Sequence, residues 1–517
     1  MYIRRILVFL VCVQSLQPSL CQVGSAHLSQ FLQTGQMAKL SDILYKKEVT
    51  EYYRNNNYNF SWLGIANERP KNDLLKLLNN VTSLGLKDMD YSTSFLASLS
   101  LQPGTMTTDD SLITELRYTD AGIRLFRALV YGNTAPSFRY DGLDYTPSCF
   151  DIPKLLAEYT SKGNLQALDQ LQSGMPEIGL VRNKILQLEK LQVPGIEDEE
   201  KILSSKANHT NKPLLKKLYH LGLSDSLEIV SDKKILESVK EAQRLFGLLA
   251  DGTLRSSIIG ELNVPVAIRI KQLYLGLNYY RWLHCLTQNG PAIVVNIPAA
   301  YMKVYDRQGV ILEMRMVLGK PSTPTPTLCS RISDVILYPY WMVPRNIATK
   351  ELLPSIKRDP GFVDANGFQL ITTQGKIVNP YKVDWPSVTA SNFPYIIRQS
   401  TGCDNALGLI KLDFYNPFSV YLHDTPHKSL FTLNKRYFSH GCMRMEKPME
   451  LGHLVLTNNA VAIDTLTEKG CIYNQSPMVV KADQKMPVVV WYNPVGTDST
   501  GRVIFYEDIY NKRMGRD

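Results

Sequence analysis

The chain has 517 residues, of which 44% are hydrophobic and 20% charged, with a formal net charge of +9. Such a composition excludes a disordered chain and a multi-spanning membrane protein. The length exceeds the roughly 250–300 residues at which one core stops growing, so two or three domains are expected. The positive charge is modest for this length and is not gathered into one basic block. It argues against nucleic acid and leaves an anionic envelope polymer, or a merely solvated surface, as its counterpart.

Arg4 and Arg5 precede the apolar run 6–13, after which polar residues follow. That is the layout of a secretory signal over residues 1–21, and the run is far shorter than the roughly 20 residues that cross a bilayer. Export is expected. Cys21 raises lipid attachment, but Leu20 before it is larger than such processing prefers. Beyond it stand Cys149, Cys285, Cys329, Cys403, Cys442 and Cys471, with no CxxC pair among them. No structural zinc site is expected from that spacing, and one cysteine is a candidate for chemistry.

Residues 25–225 carry helical patterning and form the expected helical domain. Leu74, Leu75, Leu77 and Leu78 run ahead of Leu84-Gly85-Leu86, and Tyr118, Ala121, Leu125 and Leu129 precede Gly132-Asn133, so both stretches read as helices ended by glycine. In residues 226–265, Ile235, Val239, Ala242 and Phe246 mark one helical face before a turn from Gly247 to Gly252. Ile270, Leu273, Leu277 and Trp282 predict a connecting helix in residues 266–290. The texture then changes. Ile293-Val294-Val295-Asn296-Ile297 and Val310-Ile311-Leu312 flank Asp306-Arg307-Gln308-Gly309 and predict a hairpin. Strand-like runs at 335–337, 407–412 and 418–422 extend a mostly antiparallel β-rich domain over residues 291–466. Within it, the proline-punctuated stretch 343–398 reads as a lid. Residues 467–517 are expected to pack as a closing segment. The fold class is α+β and multidomain.

Chemistry concentrates near Tyr421-Leu422-His423-Asp424-Thr425-Pro426 and Phe438-Ser439-His440-Gly441-Cys442-Met443-Arg444, and four of the eight histidines sit between His423 and His453. A thiol attacks an amide carbonyl as thiolate, and a free cysteine with a pKa near ~8.5 is mostly protonated at neutral pH. His423, nineteen residues earlier and at the end of a predicted strand, suits the base that takes that proton and returns it to a leaving amine. Gly441 permits unusual dihedrals beside an oxyanion, with His440 and Asp424 as further supports. Arg444 suits a bidentate hold on a substrate carboxylate. Each residue alone is more often structural: a buried thiol, a hydrogen-bonded imidazole, a solvated guanidinium. Reading His423, Asp424, His440 and Cys442 as metal ligands matches no standard zinc spacing.

Ser439-His440-Gly441-Cys442 with His423 upstream resembles the signature of the L,D-transpeptidase catalytic domain family. The resemblance runs outward through Asn405-Ala406-Leu407-Gly408, Val343-Pro344 and Glu351-Leu352-Leu353-Pro354, over roughly residues 291–457. The whole chain is similar to the large Gram-negative subtype, with a scaffold domain, a three-helix peptidoglycan-binding module resembled by residues 226–265, and a catalytic domain. Val488-Val489-Val490-Trp491-Tyr492 and Gly501-Arg502-Val503-Ile504-Phe505 look like its closing segment. Departures are Arg255 in place of a module glycine, Tyr338 and Met342 in place of asparagines, and Cys403 where small residues are common.

That resemblance implies a periplasmic enzyme working on peptidoglycan stem peptides and glycan, beside other cell-wall enzymes, and needing no metal or organic cofactor. Cys442 is then the nucleophile and His423 its base, with Arg444, Trp341 and Ser439 on the substrate. A thioester forms as D-alanine leaves, a neighbouring stem amine resolves it, and carbapenems acylate the same sulfur. Water or a lipoprotein lysine as acceptor, or a wall-binding protein without catalysis, are the competing readings. In a papain-like protease the cysteine precedes its histidine, the reverse of the order here.

Overall fold

The computed structural model describes residues 19–87, 107–163, 168, 175–192, 200–203, 212–225, 231–457, 463, 466, 471–473 and 475–512. The expected signal segment lies outside the described residues except for 19–21, which open the helix Ser19–Gln33. Among the described residues no helix is long and apolar enough to cross a membrane. The chain divides into two compact units: residues 1–133 with 148–173, and residues 134–147 with 174–517.

The first unit is helical. Its longest helix, Thr108–Tyr131, starts on a capping box in which Thr107 and Asp110 exchange side-chain and backbone hydrogen bonds. It stops at Gly132, whose φ of 76 requires glycine,. Mid-helix, fully buried Glu115 accepts hydrogen bonds from Leu63 N at 3.0 Å, from the Ser61 and Trp62 amides and from the Tyr53 hydroxyl. It therefore closes an otherwise unsatisfied loop. Burial raises its pKa to about 7, against the lowering effect of those donors. Glu115→Gln turns an amide NH₂ toward backbone donors and is expected to cost about 1–3 kcal/mol, read by thermal unfolding. Because the folded pKa is raised, the wild type has stability at pH 4 that it loses as pH climbs through 7. The variant lacks this slope, and a parallel pH dependence of the two proteins would count against the assignment.

The second unit is built on a closed ring of eight strands: β1 Ala292–Asn296, β2 Tyr301–Asp306, β3 Gly309–Gly319, β4 Leu328–Leu337, β5 Ile410–Phe414, β6 Leu422–His423, β7 Met443–Met445 and β8 Pro487–Trp491. The order around it is β8-β1-β2-β3-β7-β6-β5-β4, and β4 pairs back onto β8. Only β8/β1 and β6/β7 are parallel neighbours. Alternate residues point inward, where Val295, Met302, Met316, Leu337, Leu412, Leu422, Met443 and Val488 are fully buried. A ring has no edge, so every strand finds partners on both sides.

A second core lies outside the ring, where helices Pro176–Lys190, Asp232–Leu245 and Val266–Thr287 pack with Val489, Trp491, Val495 and Phe505. The helical stretch read as one domain over 25–225 is therefore split, its part beyond residue 174 belonging with the barrel unit. In 226–265 stand the helices Asp232–Leu245 and Ser256–Leu262. The connecting helix is buried on most of its surface rather than on one face. It passes so close to the closing segment that a Cβ on Gly276 would lie 2.1 Å from Val495 Cγ2.

Three strand expectations are corrected. The hairpin is β2/β3, whereas Ile293 and its neighbours form the strand beyond it. Residues 407–409 precede β5 instead of belonging to it. Most of 418–422 is a turn, held open by Asn416 bonding to the Phe418 and Val420 amides with Ser419 at φ 53. Nor does the β-rich region end at 466, because β8 completes the ring. The stretch 343–398 is a folded insertion, with a four-stranded antiparallel sheet (Trp341–Met342, Ile396–Gln399, Phe368–Ile371, Ile377–Val378) and its own core around Ile356, Leu370 and Ile397.

Candidate active site

β6 and β7 run side by side, with Leu422 opposite Met443 and His423 opposite Arg444. Leu422 and Met443 fill the barrel, so two-residue alternation turns Tyr421, His423, Cys442 and Arg444 onto its outer wall,. β5 adds Lys411, opposite His423. The geometry thus gathers a thiol, an imidazole, a phenol and two cations on one face.

Cys442 is a free, half-buried thiol following Gly441, whose φ of 116 only glycine adopts without strain,. The turn is braced from within: Ser439 Oγ donates to the Cys442 carbonyl at 2.6 Å and accepts from Gly441 N at 3.1 Å. Thr325 Oγ1 holds the Gly441 carbonyl at 2.9 Å. The Gly441 N–H is thus taken up by Ser439 Oγ, and Ser439 itself is buried within the turn. The Cys442 N–H has no partner among the described residues and is the donor left for a developing oxyanion.

His423 is buried, and its Nδ1 lies 2.6 Å from the Asp424 carbonyl oxygen, which can only accept. The proton therefore sits on Nδ1, and Nε2 presents its lone pair. The Asp424 carboxylate takes no part in this. It receives the Leu409 amide at 3.0 Å, the Thr425 amide and the Lys428 ammonium, so its support for the histidine runs through its backbone. His440 pairs with the insertion, its Nε2 lying 2.7 Å from Glu351 Oε1. Among the described residues no three His, Cys, Asp or Glu side chains group to hold a metal ion.

Tyr421 was passed over in the sequence. Its ring meets His423 edge-on at 5.6 Å, Lys411 Nζ lies 4.2 Å above it, and it is near enough to the Cys442 thiol to pull that group's pKa down against burial. Trp341, from the insertion sheet, lies near enough to that phenol to lower its pKa against the raising effect of burial. The missed signal was the alternation of Tyr421 with His423. Arg444 has a buried Nε with no hydrogen-bond partner, and its guanidinium enters no ion pair among the described residues. Such a cation is open to a carboxylate.

Burial sets the resting charges. It lowers the His423 pKa to about 3, helped by the charge on Arg444, and raises that of Cys442 against the lowering effect of Tyr421. Both shifts oppose a standing thiolate–imidazolium pair, so at neutral pH the two groups rest uncharged. Alkylation of Cys442 by iodoacetamide is accordingly expected to climb only at alkaline pH, beyond the ordinary thiol value near ~8.5. A reactive plateau between pH 5 and 7 would contradict this.

Residues 290–463 match the L,D-transpeptidase catalytic domain, and residues 47–177 match a scaffold domain. A putative L,D-transpeptidase of Haemophilus influenzae is 33% identical over 221 residues, which are 42% of this chain and 44% of that protein. The match thus spans less than half of the relative's length. Among solved structures, an L,D-transpeptidase from Mycobacterium smegmatis is similar at 16% identity over 39% of this chain and 59% of its own, with a TM-score of 0.19. One from Stackebrandtia nassauensis covers 57% of this chain and 97% of its own at 12% identity, also with a TM-score of 0.19. Superpositions of that quality place no individual residue.

Proposed function

We propose that this chain, which carries an L,D-transpeptidase catalytic domain over residues 290–463 and a scaffold domain over residues 47–177, cross-links peptidoglycan stem peptides through a thioester on Cys442. The observation that carries the reading is the free thiol on the same wall as an imidazole whose Nδ1 is tied to a carbonyl.

In the first half-reaction, His423 Nε2 takes the thiol proton as Sγ bonds to the carbonyl carbon of the stem's third residue. The oxyanion faces the Cys442 N–H. Collapse breaks the C–N bond, His423 returns the proton to the departing amine of D-alanine, and the thioester remains. In the second, an amine of a neighbouring stem loses its proton to His423 and attacks the thioester. The sulfur leaves as thiol, and an amide joins the third residues of two stems. Because the pair rests neutral, proton transfer accompanies attack instead of preceding it. Arg444 holds a substrate carboxylate, and Trp341 steadies Tyr421 against the sulfur. The insertion 343–398 is the lid, moored to the nucleophile's turn through Glu351 and His440.

The same reading places the protein in the periplasm, exported by residues 1–21, among other wall-building enzymes and open to carbapenem acylation. Incubating the purified protein with cell-wall sacculi, then digesting and weighing the muropeptides, tests it. New dimers joined through third residues are expected. Trimmed tetrapeptides without dimers would make water the acceptor and remove the cross-linking assignment.

A further inference from the structure

A cavity of about 250 Å³ opens on the barrel wall between β1, β2 and the closing segment, and none of the residues described at the candidate active site lines it. Its walls are aromatic: Tyr280, Tyr301, Tyr305, Tyr506 and Trp491. Among the described residues, of their polar tips only the Tyr305 hydroxyl finds a partner, donating to Glu177 at 3.0 Å. The Trp491 indole N–H, on a side chain 2% exposed, is buried with no hydrogen-bond partner. The hydroxyls of Tyr280, Tyr301 and Tyr506 have none among the described residues. A buried donor left unmade is costly, and native proteins keep few of them without a ligand or water to complete the bond.

The charges around the cavity select further. Lys303 Nζ lies 3.6 Å from Glu177 and donates to the Thr497 carbonyl at 3.2 Å, so its charge is already answered. Glu313 and Asp498 leave the rim acidic, which disfavours an anion,. The partly exposed rings of Tyr301 and Tyr506, with hydroxyls unbonded among the described residues, suit a ligand with an apolar face and a hydroxylated edge,. The volume sits just below the roughly 300–1,000 Å³ of small-molecule pockets and fits one ring.

We propose that this cavity is a second ligand site and takes an uncharged pyranose ring, the N-acetylhexosamine of a glycan strand, which it holds apart from the Cys442 centre. The choice of glycan strand as source rests on the peptidoglycan reading above, whereas the pyranose itself rests on the cavity alone. The partly exposed Tyr301 and Tyr506 supply rings and hydroxyls over a floor that includes buried Trp491, and the site tethers the glycan while stem peptides react elsewhere on the barrel.

The test is titration of the full chain with an N-acetylglucosamine trimer, followed by tryptophan fluorescence and saturation-transfer NMR, with maltotriose and inorganic phosphate as parallel arms. Binding is expected with a dissociation constant on the order of a millimolar. The Tyr301→Phe/Tyr506→Phe double variant is expected to weaken it roughly tenfold, with the carbapenem adduct on Cys442 unchanged. Should that variant misfold by circular dichroism, Tyr506→Phe alone carries the same expectation at a smaller factor. No trimer binding, binding untouched by the substitutions, or preference for phosphate would overturn the site. Tighter binding of maltotriose than of the trimer would overturn the glycan source. A wild type that binds the trimer yet forms no carbapenem adduct would instead count against the transpeptidase reading.

Discussion

Replacing His423 with alanine is expected to slow acylation of Cys442 by a carbapenem about 10²–10⁴-fold, the usual size of a general base's contribution, and Cys442→Ala is expected to abolish the adduct. The argument for so large an effect is the resting charge state. Were the thiol ionised beforehand, losing the imidazole would leave a thiolate held by Lys411 and Arg444 still able to react. Burial raises the thiol and lowers the imidazole, so in the proposed mechanism the proton stays on sulfur until attack begins and Nε2 is the base that takes it. Cys329, the other free thiol among the described residues, is buried, and desolvation raises its pKa, so it adds no background labelling. Time-resolved intact-protein mass spectrometry reads the rate. An acylation rate for His423→Ala within threefold of wild type would remove the histidine from the mechanism.

Gly408→Ala is expected to cripple the same reaction from outside the site. Gly408 has φ 61, and an added Cβ would lie 2.3 Å from Asp424 Oδ2 and 2.6 Å from its Cβ. Side chain and backbone of Asp424 must then shift together, and its carbonyl is what fixes the His423 ring. Left-handed strain costs about 1–3 kcal/mol, and overpacking a further ~1–3 kcal/mol. A misplacement of about 1 Å at a reacting group costs roughly 10²-fold in rate. The acylation rate should fall by that factor while circular dichroism still reports a folded barrel. A folded variant with unchanged acylation would show that the Asp424 carbonyl does not position the base.

The second prediction also shows what was legible beforehand. Asn405-Ala406-Leu407-Gly408 stood out as part of a resemblance, but its purpose could not be read from the letters. It depends on Asn405 bonding to the Pro339 and Ser400 carbonyls and on the Leu409 amide reaching Asp424, contacts made across a fold. Local signals served well where the cause was local, as at Gly132 ending its helix or Ile235 and Val239 on one face of theirs. They served poorly where register decides. Tyr421 matters because β6 lies beside β7 in one particular alignment, and Tyr301-Met302-Lys303-Val304-Tyr305 became a strand only because β1 and β3 flank it. Among the departures from the family pattern, Cys403 pairs with Cys471 in a disulfide. Tyr338 sits at φ 51, where asparagine fits more easily, and nothing in the structure explains why tyrosine stands there,.

The strand that completes the ring, β8, lies beside β1 although Val488 and Ile293 are nearly two hundred residues apart in the chain. A nascent chain emerging from a ribosome or an export channel presents β1 long before its partner exists. Until residues 487–491 arrive, β1 and β4 both carry open backbone edges, and the interior is only partly walled,. Closure of the barrel is thus coupled to synthesis of residues 487–491. A stop codon ahead of residue 487 would leave His423 and Cys442 encoded intact on a scaffold that cannot shut around its own core.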